Sequence, residues 1–189
     1  MPGLLITLGV IALVVIVLLA WAIGTYNRFV RLRNQVESSW AQVDVQLKRR
    51  HSLIPNLVET VKGYAAHERG TLDAVIQARN SAAQAANAGP GAQAAAEGAL
   101  TQTLGRLFAL AEAYPNLKAN QTFIQLQQEL GNTEDKIAYA RQFYNSAVQS
   151  MNSAVQSFPG NLIAGAGGFH ARPYFEAAGS ERADVNVRF

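Results

Sequence analysis

Charged side chains recur where only apolar ones are expected. Between residues 130 and 144 an apolar series runs through Leu130, Ile137 and Tyr144, and Glu134 and Arg141 fall on the same series. Residues separated by three, four and seven positions share one face of a helix, so both charges point with the apolar side chains. The same counting places Arg50 and Glu68 on an earlier series, and Glu112 one residue from Ala111 on a third. An unpaired buried charge costs several kcal/mol, so Arg50, Glu68, Glu112, Glu134 and Arg141 are expected to pair across helices. Two readings fit such a set. One is an internal ion-pair and hydrogen-bond network that fixes helix register; the other is a polar pocket for a small ligand or ion. On this reading Arg141→Ala costs about 3–5 kcal/mol, because a carboxylate is left buried and unpaired.

Other chemistries find little support. A di-iron helical site needs Glu-x-x-His on two helices, and here no Glu is followed by His three residues later. His51, His67 and His170 are scattered, and His67 adjoins Glu68, so the two side chains diverge by about 100° on a helix. The chain has no cysteine, which removes disulfides, thiolate metal sites and cysteine nucleophiles. Phosphate-loop, nucleophile-elbow and His-Glu-x-x-His patterns are missing as well. Neither a catalytic set nor a cofactor or metal site is therefore expected.

The elements that must position these charges are helices. From Phe29 through Leu32, Val36, Trp40, Val43 and Leu47 the apolar residues step by three and four, one stripe of an amphipathic helix. Ser52-Leu53-Ile54-Pro55-Asn56 interrupts it, since proline lacks the N–H of a helix interior and suits a first turn. A second stripe passes Leu57, Val61, Ala65, Leu72 and Val75 in phase with the first, so Pro55 marks either a turn or a kink. Gly89-Pro90-Gly91 divides an alanine-rich segment into a helix end and a helix start. A third stripe, Leu100 to Ala111, stops at Tyr114-Pro115-Asn116, and a fourth helix carries Phe123 through Val155 before Phe158-Pro159-Gly160. Trp40, Tyr114, Phe123, Tyr144 and Phe158 are expected in the core. The fold class is all-α: an antiparallel up-and-down four-helix bundle over residues 26–160, with an irregular, flexible tail over 161–189. In that tail Val185, Val187 and Phe189 alternate with polar residues, as in a peptide that binds a partner's edge or groove.

Ahead of the bundle, Leu4 to Ile23 is an uncharged run of twenty residues. As a helix it covers about 30 Å, the hydrocarbon thickness of a bilayer. Met1-Pro2-Gly3 has no basic side chain, and the run exceeds the roughly 7–15 residues of a secretory signal, although Ala20-Trp21-Ala22 has a small-x-small form. A retained single-pass anchor over residues 1–25 is expected, with Trp21, Tyr26 and Asn27 at head-group depth. Arg28, Arg31, Arg33, Lys48, Arg49 and Arg50 follow the run, and basic residues stay on the cytoplasmic side. The short amino terminus then faces out and the bundle is cytoplasmic, at the inner membrane. Net charge is only +3 with its excess near the anchor, which suits membrane lipid and not nucleic acid.

These segments resemble the LemA family. The likeness rests on Tyr26-Asn27, Leu32-Arg33-Asn34, Asp44 to Arg50, Leu53 to Val58, Val61 to Tyr64, His67-Glu68, Glu112 to Asn120, Thr133-Glu134, Ala140-Arg141, Tyr144-Asn145, Phe158-Pro159 and Tyr174 to Glu176. It covers nearly the whole chain. The ending Ala183 to Phe189 departs from it, lacking the proline that often precedes the family's closing Val-x-Phe. The resemblance implies a bacterial single-pass membrane protein with a four-helix bundle, an outward amino terminus and no assigned catalysis. Through a magnetosome protein similar to this family, it also implies a membrane-shaping or organelle-assembly role. Its implied partners are a second copy, as in a homo-oligomer, or a membrane protein such as one with a TPM domain. The functional expectation is a membrane-anchored scaffold, with a ligand sensor as the alternative.

Overall fold

The structure, a computed structural model, describes residues 2–176. Six helices follow in order: α1 (Pro2–Lys62), α2 (Arg69–Ala85), α3 (Pro90–Ala111), α4 (Pro115–Lys118), α5 (Gln121–Gln156) and α6 (Gly160–Ala166). No strand occurs among the described residues, so the chain is all-α. Val185, Val187 and Phe189 lie outside the described residues.

Pro55 neither ends nor splits its helix: α1 runs through it to Lys62. A helix-interior proline leaves the carbonyl four residues back without its donor. That carbonyl belongs to His51, and the Arg79 guanidinium of α2 donates to it through Nε at 3.3 Å. The break comes instead at residues 63–68, where Gly63, Tyr64 and Ala65 amides fold back on Glu59 and Val61 carbonyls. The second apolar stripe is therefore divided between α1 and α2. At the next junction Gly89 takes φ +94°, a conformation that strongly favours glycine, and Pro90 opens α3. The α5 start is capped by Asn120, whose side-chain oxygen accepts from the Phe123 amide at 3.0 Å.

The chain divides into two compact units. Among the described residues the first comprises 2–39 and 146–172 and the second 40–145 and 173–176, so α1 and α5 each contribute to both. In the second unit Ile54, Leu57 and Val61 of α1, Leu72 and Val75 of α2, Leu100, Leu104 and Leu107 of α3, Leu117 of α4 and Phe123 and Leu130 of α5 form one buried cluster. Trp40 packs on Tyr144 and Phe175 there, with ring centroids 5.1 and 5.6 Å away.

In the first unit Phe169 is the centre. It stacks on Phe29 at 5.1 Å, meets Tyr26 edge-on at 5.4 Å, and lies under the Arg33 guanidinium at 5.7 Å. The part of the tail expected to be flexible thus contains α6 and a buried anchor ring. Asn152 clamps the following chain as a strand neighbour would, accepting from the Arg172 amide at 2.7 Å and donating to its carbonyl at 2.9 Å. Asn145, in the second unit, does the same for Phe175 at 2.9 and 3.3 Å. Among the aromatic residues expected in the core, Phe158 is the exception at 79% exposed. It follows the end of α5, at a chain reversal, where the stripe no longer sets which way a side chain points.

Candidate functional site

Arg50 stands at the centre of the second unit's polar cluster and is only 3% exposed. Its position follows from the stripe of α1: three residues after Leu47 and four before Ile54, it points where they point. Its Nη1 lies 3.3 Å from Glu97 and 3.3 Å from Glu134, and its Nη2 donates to the Thr101 hydroxyl at 2.7 Å. The Glu97 carboxylate, itself buried, accepts from His51 Nε2 at 2.7 Å with its other oxygen. Thr101 in turn donates to the Glu97 backbone carbonyl at 3.1 Å. Each buried ion therefore has several partners, the condition under which burial of charge is tolerated.

An open cleft of about 640 Å³ adjoins this cluster, lined by Arg50, Glu97, Thr101, Glu134, Arg141 and Phe175 among others. Four small residues, Ala94, Ala95, Gly98 and Ala99, on the α3 side of the wall leave space there. Two guanidinium groups face two carboxylates, so charge in the lining is balanced. No group of three or more metal-ligating side chains occurs among the described residues.

The five residues expected to form one network do not all meet. Arg50 and Glu134 do, and Arg141 shares the cleft wall, half-buried. Glu68 and Glu112 stand elsewhere. Glu68 lies past the end of α1, so counting along a continuous stripe does not reach it; its carboxylate accepts from the Tyr114 hydroxyl at 3.0 Å. Glu112 is the residue after α3, exposed, and pairs with Lys118, the last residue of α4. Beside the Glu68 contact, Asn120 donates to the Tyr64 hydroxyl at 2.9 Å, tying the α1–α2 turn to the α3–α5 connection. The Glu68 carboxylate raises the Tyr114 pKa above its ordinary value, first through the hydrogen bond, with desolvation adding to it.

Glu97, His51 and Thr101 were missed, yet the first two carried a signal. Stepping back from Leu100 and Leu104 by three and seven reaches Glu97, and four further reaches Gln93, which is 1% exposed. The alanine-rich composition there hides the stripe. His51 sits four residues after Leu47 and three before Ile54, in register like Arg50.

Comparison with known proteins bears on the same residues. Two magnetosome proteins of Paramagnetospirillum magneticum, MamQ 1 and MamQ 2, are each 27% identical over 186 residues, covering 86% of this chain and 68% of their own. Protein LemA of Metamycoplasma hominis is 25% identical over 165 residues, 87% of this chain and 75% of its own. The LemA family model matches residues 39–189, which takes in Arg50, His51, Glu97 and Glu134 together with both asparagine clamps. With a helix long and apolar enough to cross a membrane, whose uncharged start precedes that match, this is a membrane-associated helical protein, and it belongs to the LemA family.

Proposed function

We propose that this protein is a non-catalytic scaffold, held at the cytoplasmic membrane by one span and presenting a four-helix bundle to partners. The observation that carries the reading is α1. Its uncharged apolar part is long enough to cross a bilayer and has none of its surface buried, and the same helix continues into the buried stripe Phe29, Val36, Val43, Leu47, Ile54 and Leu57. A helix that is apolar all round needs an apolar solvent, and one with a single apolar stripe needs a protein core. The arginines after the span favour a cytoplasmic bundle and an outward amino terminus. The likeness to proteins named for the magnetosome supports a component of an assembly. The partners are membrane lipid and either a second copy of this chain or another membrane protein, one with a TPM domain being the kind the family resemblance suggests.

The test is crosslinking in native membranes followed by affinity isolation in detergent, with mass and subunit counting. A reproducible complex or homo-oligomer is expected. A lone monomer under both treatments overturns the scaffold reading.

A sensor reading draws on the cleft beside Arg50, which stays open although Arg50 itself is paired. It predicts a small molecule retained on the purified protein. Native mass spectrometry that finds only the bare chain sets it aside.

A further inference from the structure

The geometry points to a second membrane contact: the end of α5 and the start of α6 lie on the bilayer surface and hold an anionic phospholipid head group beside Arg28. This rests on the anchor reading above.

A cleft of about 580 Å³ lies within the first unit, lined by Trp21, Thr25 and Arg28 of α1, by Gln149 and Ser153 of α5, and by Phe158 among others. Its depth follows from α1. The uncharged run ends at Ile23, so Trp21 sits at its boundary and Arg28 about 8 Å beyond it along the axis. Phe158 and Pro159 line the same cleft as Trp21, and a Cβ on Gly160 would meet the Phe29 ring at 3.7 Å. The α5–α6 junction therefore stands level with the head-group zone, not away from it.

What faces outward there suits that zone. Phe158 is 79% exposed and Leu162 63%, a pair of large apolar side chains with no protein cover, beside Trp21 at 40%. Amphipathic and apolar side chains at this depth settle at the boundary between head groups and acyl chains. The charge is complementary as well. This unit carries Arg28, Arg31, Arg33 and Arg172 against one carboxylate, Glu37, which faces Arg172 at 4.0 Å. No carboxylate lines the cleft. Ser150 and Ser157 donate to the Ser146 and Ser153 carbonyls, while Thr25, Arg28 and Ser153 have no side-chain partner among the described residues. A guanidinium and two hydroxyls around a roomy, carboxylate-free opening at head-group depth match a lipid phosphate, which an arginine holds bidentately.

The chain has no cysteine, so a single introduced one carries a spin label uniquely. The full chain in phosphatidylcholine vesicles is labelled through Phe158→Cys or Leu162→Cys, with Leu13→Cys reporting the span and Tyr139→Cys, at an exposed position, as the aqueous control. Relaxation by oxygen against a water-soluble nickel chelate reads the depth. Sites 158 and 162 are expected to favour oxygen, as site 13 does, and site 139 the chelate. Adding phosphatidylglycerol lowers chelate access at site 158 by about fivefold, the effect of one basic side chain at an anionic surface. Arg28→Gln removes that change, and inorganic phosphate does not reproduce it. If sites 158 and 162 behave like 139 while 13 stays in lipid, the surface contact is wrong and the anchor stands. If site 13 is open to water too, the anchor fails and the contact with it. Depth at 158 that ignores both phosphatidylglycerol and Arg28→Gln overturns the head-group site.

Discussion

Two stretches of α1 meet opposite surroundings. From Leu5 to Leu19 every large side chain is exposed, although nearly all are Leu, Ile or Val. From Phe29 to Val61 only one stripe is apolar, and its members are covered: Val43, Leu57 and Val61 have no exposed surface. One helix thus carries two patterns that no single solvent satisfies. The first has no side that water favours, and the second has a wet side and a dry one. The fold stores charge only in the second stretch, at Arg50, where neighbouring helices supply partners.

The largest expected effect breaks the second stretch. Arg50→Ala leaves Glu97 buried beside His51 with its guanidinium partner gone, and unfolding of the detergent-solubilised chain should show a loss of about 3–5 kcal/mol. Arg141→Ala, at a half-buried site on the cleft wall, should lose about 1–2 kcal/mol. That ordering reverses the expectation from the stripe alone, and equal losses would show the cleft to be as closed as the Arg50 site.

The next pair tests the contrast directly. Leu57→Ala removes a fully covered side chain and should cost about 2–5 kcal/mol of folding stability. Leu13→Ala should leave the unfolding transition in place, and Leu13→Lys should cost about 2.5–3.5 kcal/mol of membrane insertion, read by alkaline extraction of membranes. If Leu13→Lys stays bound while Leu13→Ala unfolds the bundle, the two stretches have been assigned to the wrong surroundings.

A smaller effect is expected at Gly168, which takes φ +69° after α6 as the Phe169 amide closes on the Ala164 carbonyl at 2.9 Å. Gly168→Ala should cost about 1–2 kcal/mol through the left-handed backbone alone. Loss of Phe169 packing shows as altered ring signals in nuclear magnetic resonance.

The smallest concerns Tyr114. Its raised pKa means the folded state holds the phenolic proton more tightly than the unfolded chain does. This contribution is complete below the unfolded value of about 10, and is lost as pH rises through the folded value. Tyr114→Phe should therefore flatten the fall in stability on the alkaline side and leave neutral pH behaviour nearly unchanged apart from the lost hydrogen bond to Glu68.

The sequence by itself determined that the chain is helical, where its apolar run lies, and that Arg50 points inward; Glu134 meets Arg50 but keeps a side chain 49% exposed. Each follows from spacing within one helix, where three-and-four periodicity ties position to direction. It also contained Glu97 and His51 in register, although alanine-rich composition masked the first and the scatter of histidines the second. Only the tertiary structure decided which charges meet. Pro55 could continue because Arg79, on another helix, reaches the His51 carbonyl it leaves open. The break therefore moved to residues 63–68, which carried Glu68 off the stripe and toward Tyr114. Phe158 turned outward and Phe169 inward for a like reason: past the end of α5 no periodicity governs direction, and a side chain goes where neighbouring elements leave room.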